Sequence, residues 1–537
     1  MAIQTFAAID VGSFEVELGI YEISNKNGIR PIDHVRHVIA LGEDTFSTGK
    51  ISYDLVEELC QVLKDFSVIM KSYRVSAYSA YATSAMREAK NNPIILDQIR
   101  VRTGLEIKLI SNSEQRFLSY KAIASKESEF NTIIQKGTAI VDVGFGSMQL
   151  SLFDKDALIT TQNLPLGALK IRDLISRIPT NVKMHQEIIR ELVDNELFVF
   201  RKMYLKDREI KNLIGIGDNA LSLYKQMVTV DKQMPDRMTA EDVNRFYDAL
   251  FHMSLQQMED LFGVNETYAE LMMPSAIIYK RILEITGAEQ FWLPGIRLCD
   301  GMAAEYAENS RQVKFKHSFE NDILAASKNM AKRYKCHTGH NQILEIHAMD
   351  IFDTIRRYHG MNSRDRLLLR IAVLLHACGK FISIRDANEC AYNIIMSTEI
   401  IGLSHLEREI IANVVRYNIR DFDYNQIQLE TDIDREVSGG LKVSTASSGN
   451  DMETLSVNDI RIKIAKLTAI LRLANSMDRS HKQKLSGCKM AVRDEQLVIT
   501  TDYPGEILLE QMSFSQKADF FEEIFGIRPV LKHKRRG

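Results

Sequence analysis

The sequence predicts an α/β protein made of two similar lobes, followed by an all-α region and a small α+β C-terminal part. Three observations carry that expectation. Strand and helix patterns alternate through the N-terminal half, a strand–turn–strand segment recurs 132 residues after its first appearance, and long helical periodicities take over beyond residue 310. The chain has 537 residues, which at roughly 150 residues per domain suggests three or four domains.

Residues 5–21 read as an apolar strand, a turn at Asp10-Val11-Gly12-Ser13, and a second strand ending Leu18-Gly19-Ile20-Tyr21. Leu55, Leu59, Leu63 and Phe66 then fall at helical spacing within 54–73, and 75–82 reads as another strand. The stretch A-I-V-D-V-G-F-G-S-M-Q-L-S-L-F-D at 139–154 repeats the first hairpin, matching Asp10 with Asp142, Val11 with Val143, Gly12 with Gly144 and Leu18 with Leu150. Solenoid units run only ~20 to 50 residues, so this period indicates duplication of a whole domain. Farther along, 342–358, 364–378 and 406–417 are helical, 438–450 is a polar linker, and 457–477 is helical again. A strand-like stretch at 489–501 and a helix near 514–525 precede the basic tail K-H-K-R-R-G, read as a solvated terminus.

Lys and Arg total 68 against 71 Asp and Glu, a net charge of −3, so nothing draws the whole chain to nucleic acid or to an anionic membrane. Any anion site must be local. The six cysteines lack paired spacing, which fits reduced thiols, and no segment approaches ~20 uninterrupted apolar residues. These features lead us to expect a cytoplasmic protein.

A strand ending in Asp-x-Gly sets a carboxylate beside the backbone N–H groups of a tight turn, where a cation and a phosphate can be held together. Two such turns opening duplicated lobes can point Asp10 and Asp142 at one phosphate chain. In Y-A-T-S-A-M-R-E-A-K-N at 81–91, Thr83 and Ser84 close a strand and Arg87 follows on the first helical turn, a convergence of hydroxyls and guanidinium suited to an anion.

These segments resemble the exopolyphosphatase and guanosine pentaphosphate phosphohydrolase (Ppx/GppA) family, within the superfamily of actin, Hsp70 and sugar kinases. The resemblance runs in order through A-A-I-D-V-G-S, A-T-S-A-M-R-E-A-K-N, I-S-N-S-E-Q-R-F-L, V-D-V-G-F-G-S and L-C-D-G-M. It continues into L-L-H-A-C-G-K, V-V-R-Y-N, L-R-L-A-N-S-M-D-R-S-H and F-F-E-E-I-F-G. It implies two ribonuclease-H-like lobes at 1–130 and 131–310, a degenerate HD-type helical domain at 311–445 and a small domain at 446–537. It also implies Mg2+ at Asp10 and Asp142, polyphosphate or a guanosine polyphosphate in the cleft, and an occasional homodimer, with neither nucleic acid nor membrane as a partner. By position, Asp10, Gly12, Ser13, Arg87, Asp142, Gly144, Gly146 and Ser147 keep the family's phosphate-binding or metal-binding types, and Thr83 and Ser84 join them as phosphate-binding candidates from the local pattern.

The positions implied to be catalytic depart from the family. Gln115 stands where a glutamate is the proposed base, and Gln149 replaces a second acid. An amide can orient water but cannot take its proton. Glu114 lies ~100° around the helix from Gln115, and Ser111-x-x-Glu114 fits a capping box. Ser13-Phe14-Glu15 and Gly217-Asp218-Asn219 add bulk or charge to the phosphate loops, although Glu15 offers a substitute carboxylate. His340 and His376-Ala377 retain histidines of a His-Asp centre without its aspartate, and Asp386 and Glu389 replace later histidines, so a hydrolytic metal centre is not expected there. Cys336, His337 and His340 lack a fourth zinc ligand. Arg472, Arg479, His481, Lys482 and Lys484 lie where the family lines a basic channel for long polyphosphate. Two functions follow: a Ppx/GppA-type hydrolase releasing terminal phosphate by Mg-assisted water attack, or a binding regulator with impaired turnover.

Overall fold

The computed structural model describes residues 4–125, 130, 132–155, 157–178, 182–235, 237–315, 317–424, 427, 429, 443–444 and 454–533. The chain forms two compact units, Met1–Phe319 and Glu320–Gly537.

The first unit holds two sheets. In the first, β1 (Gln4–Val11), β2 (Glu15–Ser24), β3 (Gly28–Val38), β4 (Ala77–Ala82) and β5 (Lys108–Leu109) are ordered β3-β2-β1-β4-β5. The second has β6 (Thr138–Val143), β7 (Met148–Asp154), β8 (Ala157–Leu164), β9 (Asn212–Ile216), β10 (Arg237–Met238) and β11 (Gln290–Trp292), ordered β10-β11-β9-β6-β7-β8. In each, a three-stranded antiparallel meander is followed by a strand parallel to its first member. The duplication inferred from the repeat is therefore present as topology, with β6, β7 and β9 in the places of β1, β2 and β4.

Alternation along β1 and β2 decides what each face meets. Ala7, Ile9, Val11, Val16, Leu18 and Ile20 turn toward Leu59, Leu63 and Phe66 of the helix Tyr53–Ser72, each large side chain contributing about 1.5–3 kcal/mol by burial. Phe6, Ala8 and Tyr21 turn the other way, toward Leu118 and toward Leu298, Cys299 and Met302 of the helix Leu298–Asn309. That helix crosses Asn112–Ala124 closely at Gly301, where a Cβ would sit 2.1 Å from the Leu118 carbonyl oxygen. The close crossing explains the glycine of L-C-D-G-M. In the second lobe Val141, Val143, Leu150 and Leu152 share a core with Val193, Leu197, Ile278 and Ile282.

In the second unit the helices expected at 342–358, 364–378, 406–417 and 457–477 occur as Thr338–Thr354, Ser363–Leu375, His405–Arg416 and Val457–Ser476. Caps decide the differences. His337 Nδ1 accepts from the His340 N–H, starting the first of these earlier than the apolar pattern suggested. Asn362, Ser404 and Ser456 open the others with capping boxes. The stretch 489–501 is a hairpin, Lys489–Arg493 with Gln496–Thr501, turning at Asp494 and Glu495 with φ of 49° and 56°, as a two-residue hairpin turn requires. The last helix starts at Leu508, ahead of the expected 514, and leads into Arg528–His533, parallel to Gln496–Thr501. The linker expected at 438–450 lies outside the described residues except Val443–Ser444, which pairs with Thr454–Leu455. The last four residues of the basic tail also lie outside them. Among the described residues, no helix is long and apolar enough to cross a membrane.

Candidate functional site

The two Asp-x-Gly turns are built alike. In the first, the Gly12 N–H donates to the Glu15 carbonyl at 2.9 Å, and a Cβ on Gly12 would lie 2.7 Å from that oxygen. In the second, the Gly144 N–H donates to the Ser147 carbonyl at 2.8 Å, with a Cβ position 2.9 Å away. Only glycine lets the chain fold back this tightly. The hairpin registers also coincide: Asp10 faces Glu17 across β1 and β2, and Asp142 faces Gln149 across β6 and β7.

The turns come together. The Phe14 and Phe145 ring centroids are 5.0 Å apart, and the carboxylates of Asp10 and Asp142 are near enough for the second to raise the first. Burial holds the Asp10 carboxyl well above the usual carboxylate range, assisted by Glu17, Asp142 and Glu15, and its Oδ1 has no hydrogen-bond partner. Burial likewise pushes Asp142 up to about 7, against the pull of the Arg116 guanidinium. Glu15 is also raised by burial, with Arg36 Nη1 at 3.3 Å opposing. His34 Nε2 lies 3.3 Å from Glu17, and Arg297 Nε lies 4.0 Å from it. The Asp10 side is therefore a buried carboxylate cluster rimmed by cations.

Ser13 Oγ is 2.7 Å from Ser84 Oγ and accepts from the Ala85 N–H at 3.1 Å, joining the first turn to the segment after β4. The Thr83 N–H donates to the Val11 carbonyl. Arg87 is anchored, with Nη1 donating to the Ile110 carbonyl at 2.6 Å and Nη2 donating to Asn112 Oδ1. Its guanidinium thus pins the first turn of Asn112–Ala124 in place of reaching freely for an anion. Gln115 lies one helical turn past Asn112, on the same side. Glu114 is engaged in the capping box, where its carboxylate accepts from the Ser111 N–H at 2.9 Å and from Ser111 Oγ at 2.8 Å. Gln149 is buried, and its side-chain oxygen has no partner. Gly146 and Ser147 complete the second turn, with Phe46 filling the space beside Gly146.

Two positions beside these carboxylates, Glu17 and Arg116, escaped the reading of motifs. Glu17 is the strand partner of Asp10, and the alternation of Glu15 and Glu17 along β2 would have revealed it. Gly217, at φ 82°, would put a Cβ 2.6 Å from Asp142 Oδ1, so it is the floor under that carboxylate. Arg116 is buried, donates to Thr161 Oγ1 at 2.5 Å and acts on Asp142; nothing local in sequence marks it.

In the second unit the basic segment does not act as one face. Arg472 is buried, donating to the carbonyls of Tyr417 and Arg420 with Phe520 against its guanidinium. Lys484 pairs with buried Glu510 at 2.9 Å. Arg472 is thus buried and Lys484 half-buried, each held by partners of its own, while Arg479, His481 and Lys482 are exposed. His481 stacks on His340 at 4.0 Å, and His340 Nδ1 is 2.8 Å from Asp478 Oδ2. Glu389 is taken by Arg416 and Arg420.

Among the described residues no group of three or more His, Cys, Asp or Glu is arranged to hold a metal ion. Mg2+ does not need such a cage, because it binds through one or two carboxylates with water and substrate phosphates. The unpartnered Asp10 Oδ1 and the neighbouring carboxylates of Glu15, Glu17 and Asp142 are oxygen donors of the kind such a hard cation takes.

Comparison with known proteins agrees with this architecture. Residues 20–308 match the Ppx/GppA phosphatase family and residues 324–438 match domain III of the Ppx/GppA phosphatases. Exopolyphosphatase 1 of Mycobacterium tuberculosis (strain ATCC 25618 / H37Rv) is 26% identical over 190 residues, covering 35% of this chain and 54% of that protein. The chain thus spans about half the length of the curated relatives it matches. An exopolyphosphatase from Cytophaga hutchinsonii ATCC 33406 superposes with a TM-score of 0.51 at 18% identity, covering 57% of this chain and 97% of the other. An exopolyphosphatase-like protein gives a TM-score of 0.50 at 16% identity, covering 58% and 100%. These two likenesses speak to the fold alone.

Proposed function

The chain belongs to the Ppx/GppA phosphatase family, and from that premise we propose that its paired turns bind the terminal phosphates of inorganic polyphosphate or a guanosine polyphosphate, with hydrolysis impaired. One observation carries this reading. The two hairpin tips bring Asp10 and Asp142 together, while the positions that would take a proton from water, Gln115 and Gln149, are amides. Asp10 and Asp142 would hold Mg2+, which neutralises phosphate charge when bound. The amides of the two turns other than those of Gly12 and Gly144, with Ser13 and Ser84, would orient the phosphate. Thr83 and Arg87 shape this end of the site by holding β1 and the Gln115 helix in register. Gln115 positions water without deprotonating it.

A second reading, hydrolysis by a Ppx/GppA-type exopolyphosphatase or guanosine pentaphosphate phosphohydrolase, is favoured by the carboxylate cluster. Burial, with Glu17, Asp142 and Glu15 beside it, raises the proton affinity of the Asp10 carboxyl, the direction a general base needs. Phosphate release from both substrates, measured on wild type, Asp142→Ala and Gln115→Glu, separates the two. Activity appearing only in Gln115→Glu supports the binding reading. Robust wild-type activity abolished by Asp142→Ala supports hydrolysis and removes the binding reading.

The same reading extends to organisation. We divide the chain at 1–130, 131–310, 311–445 and 446–537 and treat the third part as a degenerate HD-type domain. Contact of His340 with Asp478, the His376 ring 5.3 Å from His340, and Ala377 in the place of an aspartate support this. Six free cysteines support a reducing, cytoplasmic setting.

A further inference from the structure

The point where the two turns meet is filled with aromatic rings. Phe14 is fully buried, 5.0 Å from the Phe145 centroid at an interplanar angle of 38° and 5.6 Å from Tyr268. Phe46, from the helix Leu41–Thr48, presses on the second turn so closely that a Cβ on Gly146 would be 2.6 Å from its Cζ. Ala168, Leu169 and Leu271 complete an apolar cluster around Phe14.

Polar contacts flank the cluster. The Gly42 N–H donates to the Ser13 carbonyl at 2.7 Å, and the Leu169 N–H donates to the Phe145 carbonyl at 3.0 Å, so each turn is tied to the segment beside it. Two ion pairs run from the second lobe to the first: Arg172 Nη2 to Glu43 Oε1 at 2.9 Å, and Lys170 Nζ to Glu88 Oε2 at 3.7 Å. Lys170 Nζ also stands 4.8 Å above the Phe46 ring.

The turns themselves differ in a complementary way. Along the repeat, Ser13 of the first turn corresponds to Phe145 and Phe14 corresponds to Gly146. Each turn therefore carries one ring and one small residue in opposite order, which lets the rings lie side by side. Phosphate oxygens brought among them would lose hydration against surfaces with no donor to offer.

We propose that Phe14 and Phe145 form an apolar lock between the two turns, flanked by the Arg172–Glu43 and Lys170–Glu88 pairs, so that entry of a phosphate chain requires the lobes to separate. Phe14 and Phe145 are then the residues that determine access to the site. This rests on the reading of the paired turns as the phosphoanhydride site.

The test uses the full chain with two variants. Phe145→Gly removes a partly buried ring, and Phe14→Leu keeps most of the buried volume should the first fail to fold. Amide hydrogen exchange is followed in peptides containing Gly42 and Leu169, and in β1 and β6 as a reference for global opening. Binding of inorganic tripolyphosphate with Mg2+ is followed by calorimetry. The lock predicts exchange about tenfold faster around Gly42 and Leu169 with β1 and β6 unchanged, and tripolyphosphate bound about tenfold more tightly than by wild type. Unchanged exchange at Gly42 and Leu169, or acceleration that β1 and β6 share equally, would overturn it. Selective acceleration with wild-type affinity already matched by both variants would overturn it as well. Selective acceleration with no tripolyphosphate bound by any of the three proteins would uphold the lock and remove the phosphoanhydride reading.

Discussion

The two turns at the heart of the first unit share a backbone and differ in electrostatics. In the first lobe Asp10 looks across the hairpin at Glu17, with Glu15 nearby, and all three are buried. In the second lobe Asp142 looks across the equivalent pair of strands at Gln149, with the Arg116 guanidinium acting on it. Duplication has supplied one scaffold twice, and substitution has concentrated acid on one side and removed it from the other. A like charge opposite a buried carboxylate raises its affinity for a proton, whereas an amide leaves burial alone to do so. The first lobe is therefore the side that most needs a cation, and in the second an amide faces the carboxylate.

The contrast can be broken most severely at Gly217. Adding a Cβ there meets Asp142 Oδ1 at 2.6 Å in a backbone conformation, φ 82°, that side chains rarely adopt. Gly217→Ala is expected to destabilise the protein by about 2 kcal/mol or more, read from denaturant unfolding, with a loss under half that figure counting against the close contact.

A second prediction concerns pH. Asp142 loses its proton near 4 when unfolded and near 7 when folded, so between those values the folded chain binds more protons. Stability then falls as pH rises through that window, by about 1.4 kcal/mol per unit of separation at most, and levels above it. Asp142→Asn should flatten the fall in part, leaving the share due to Asp10, whose carboxyl is raised in the same direction. Parallel wild-type and variant curves would show that burial does not govern Asp142.

The comparison is sharpened by exchanging its terms. Glu17→Gln makes the first hairpin resemble the second and should lower the Asp10 midpoint; Gln149→Glu makes the second resemble the first and should raise the Asp142 midpoint. Carboxyl NMR titration reads both, and opposite signs are required. The smallest effect belongs to a position outside both hairpins. Ser111→Ala removes half of the capping box at Asn112–Ala124 and should cost about 1 kcal/mol, without moving either carboxyl midpoint.

Much of the site was legible in local pattern. The Asp-x-Gly turns, their 132-residue repeat and the Ser111–Glu114 capping box are read from spacing, because hairpins and helix starts are short-range structures with strong residue preferences. The alternation that sets Glu17 opposite Asp10 was equally local, though it becomes informative only once the hairpin register is known. By contrast, nothing near Arg472 announces that its guanidinium is buried on backbone carbonyls, and nothing near Arg87 announces that Ile110 and Asn112 hold it. A cation's partners are chosen by the packing of distant segments.

Duplication, the α/β class of the first lobes and the loss of the two acids at Gln115 and Gln149 were inherent in the order of residues, since periodicity and chemical identity survive without coordinates. The meeting of Phe14 with Phe145, Gly217 beneath Asp142 and Arg116 acting upon it exist only after distant segments have folded against each other. Side chains far apart along the chain become neighbours through the closing of sheets and helices, and burial then changes what a carboxylate or a guanidinium can do.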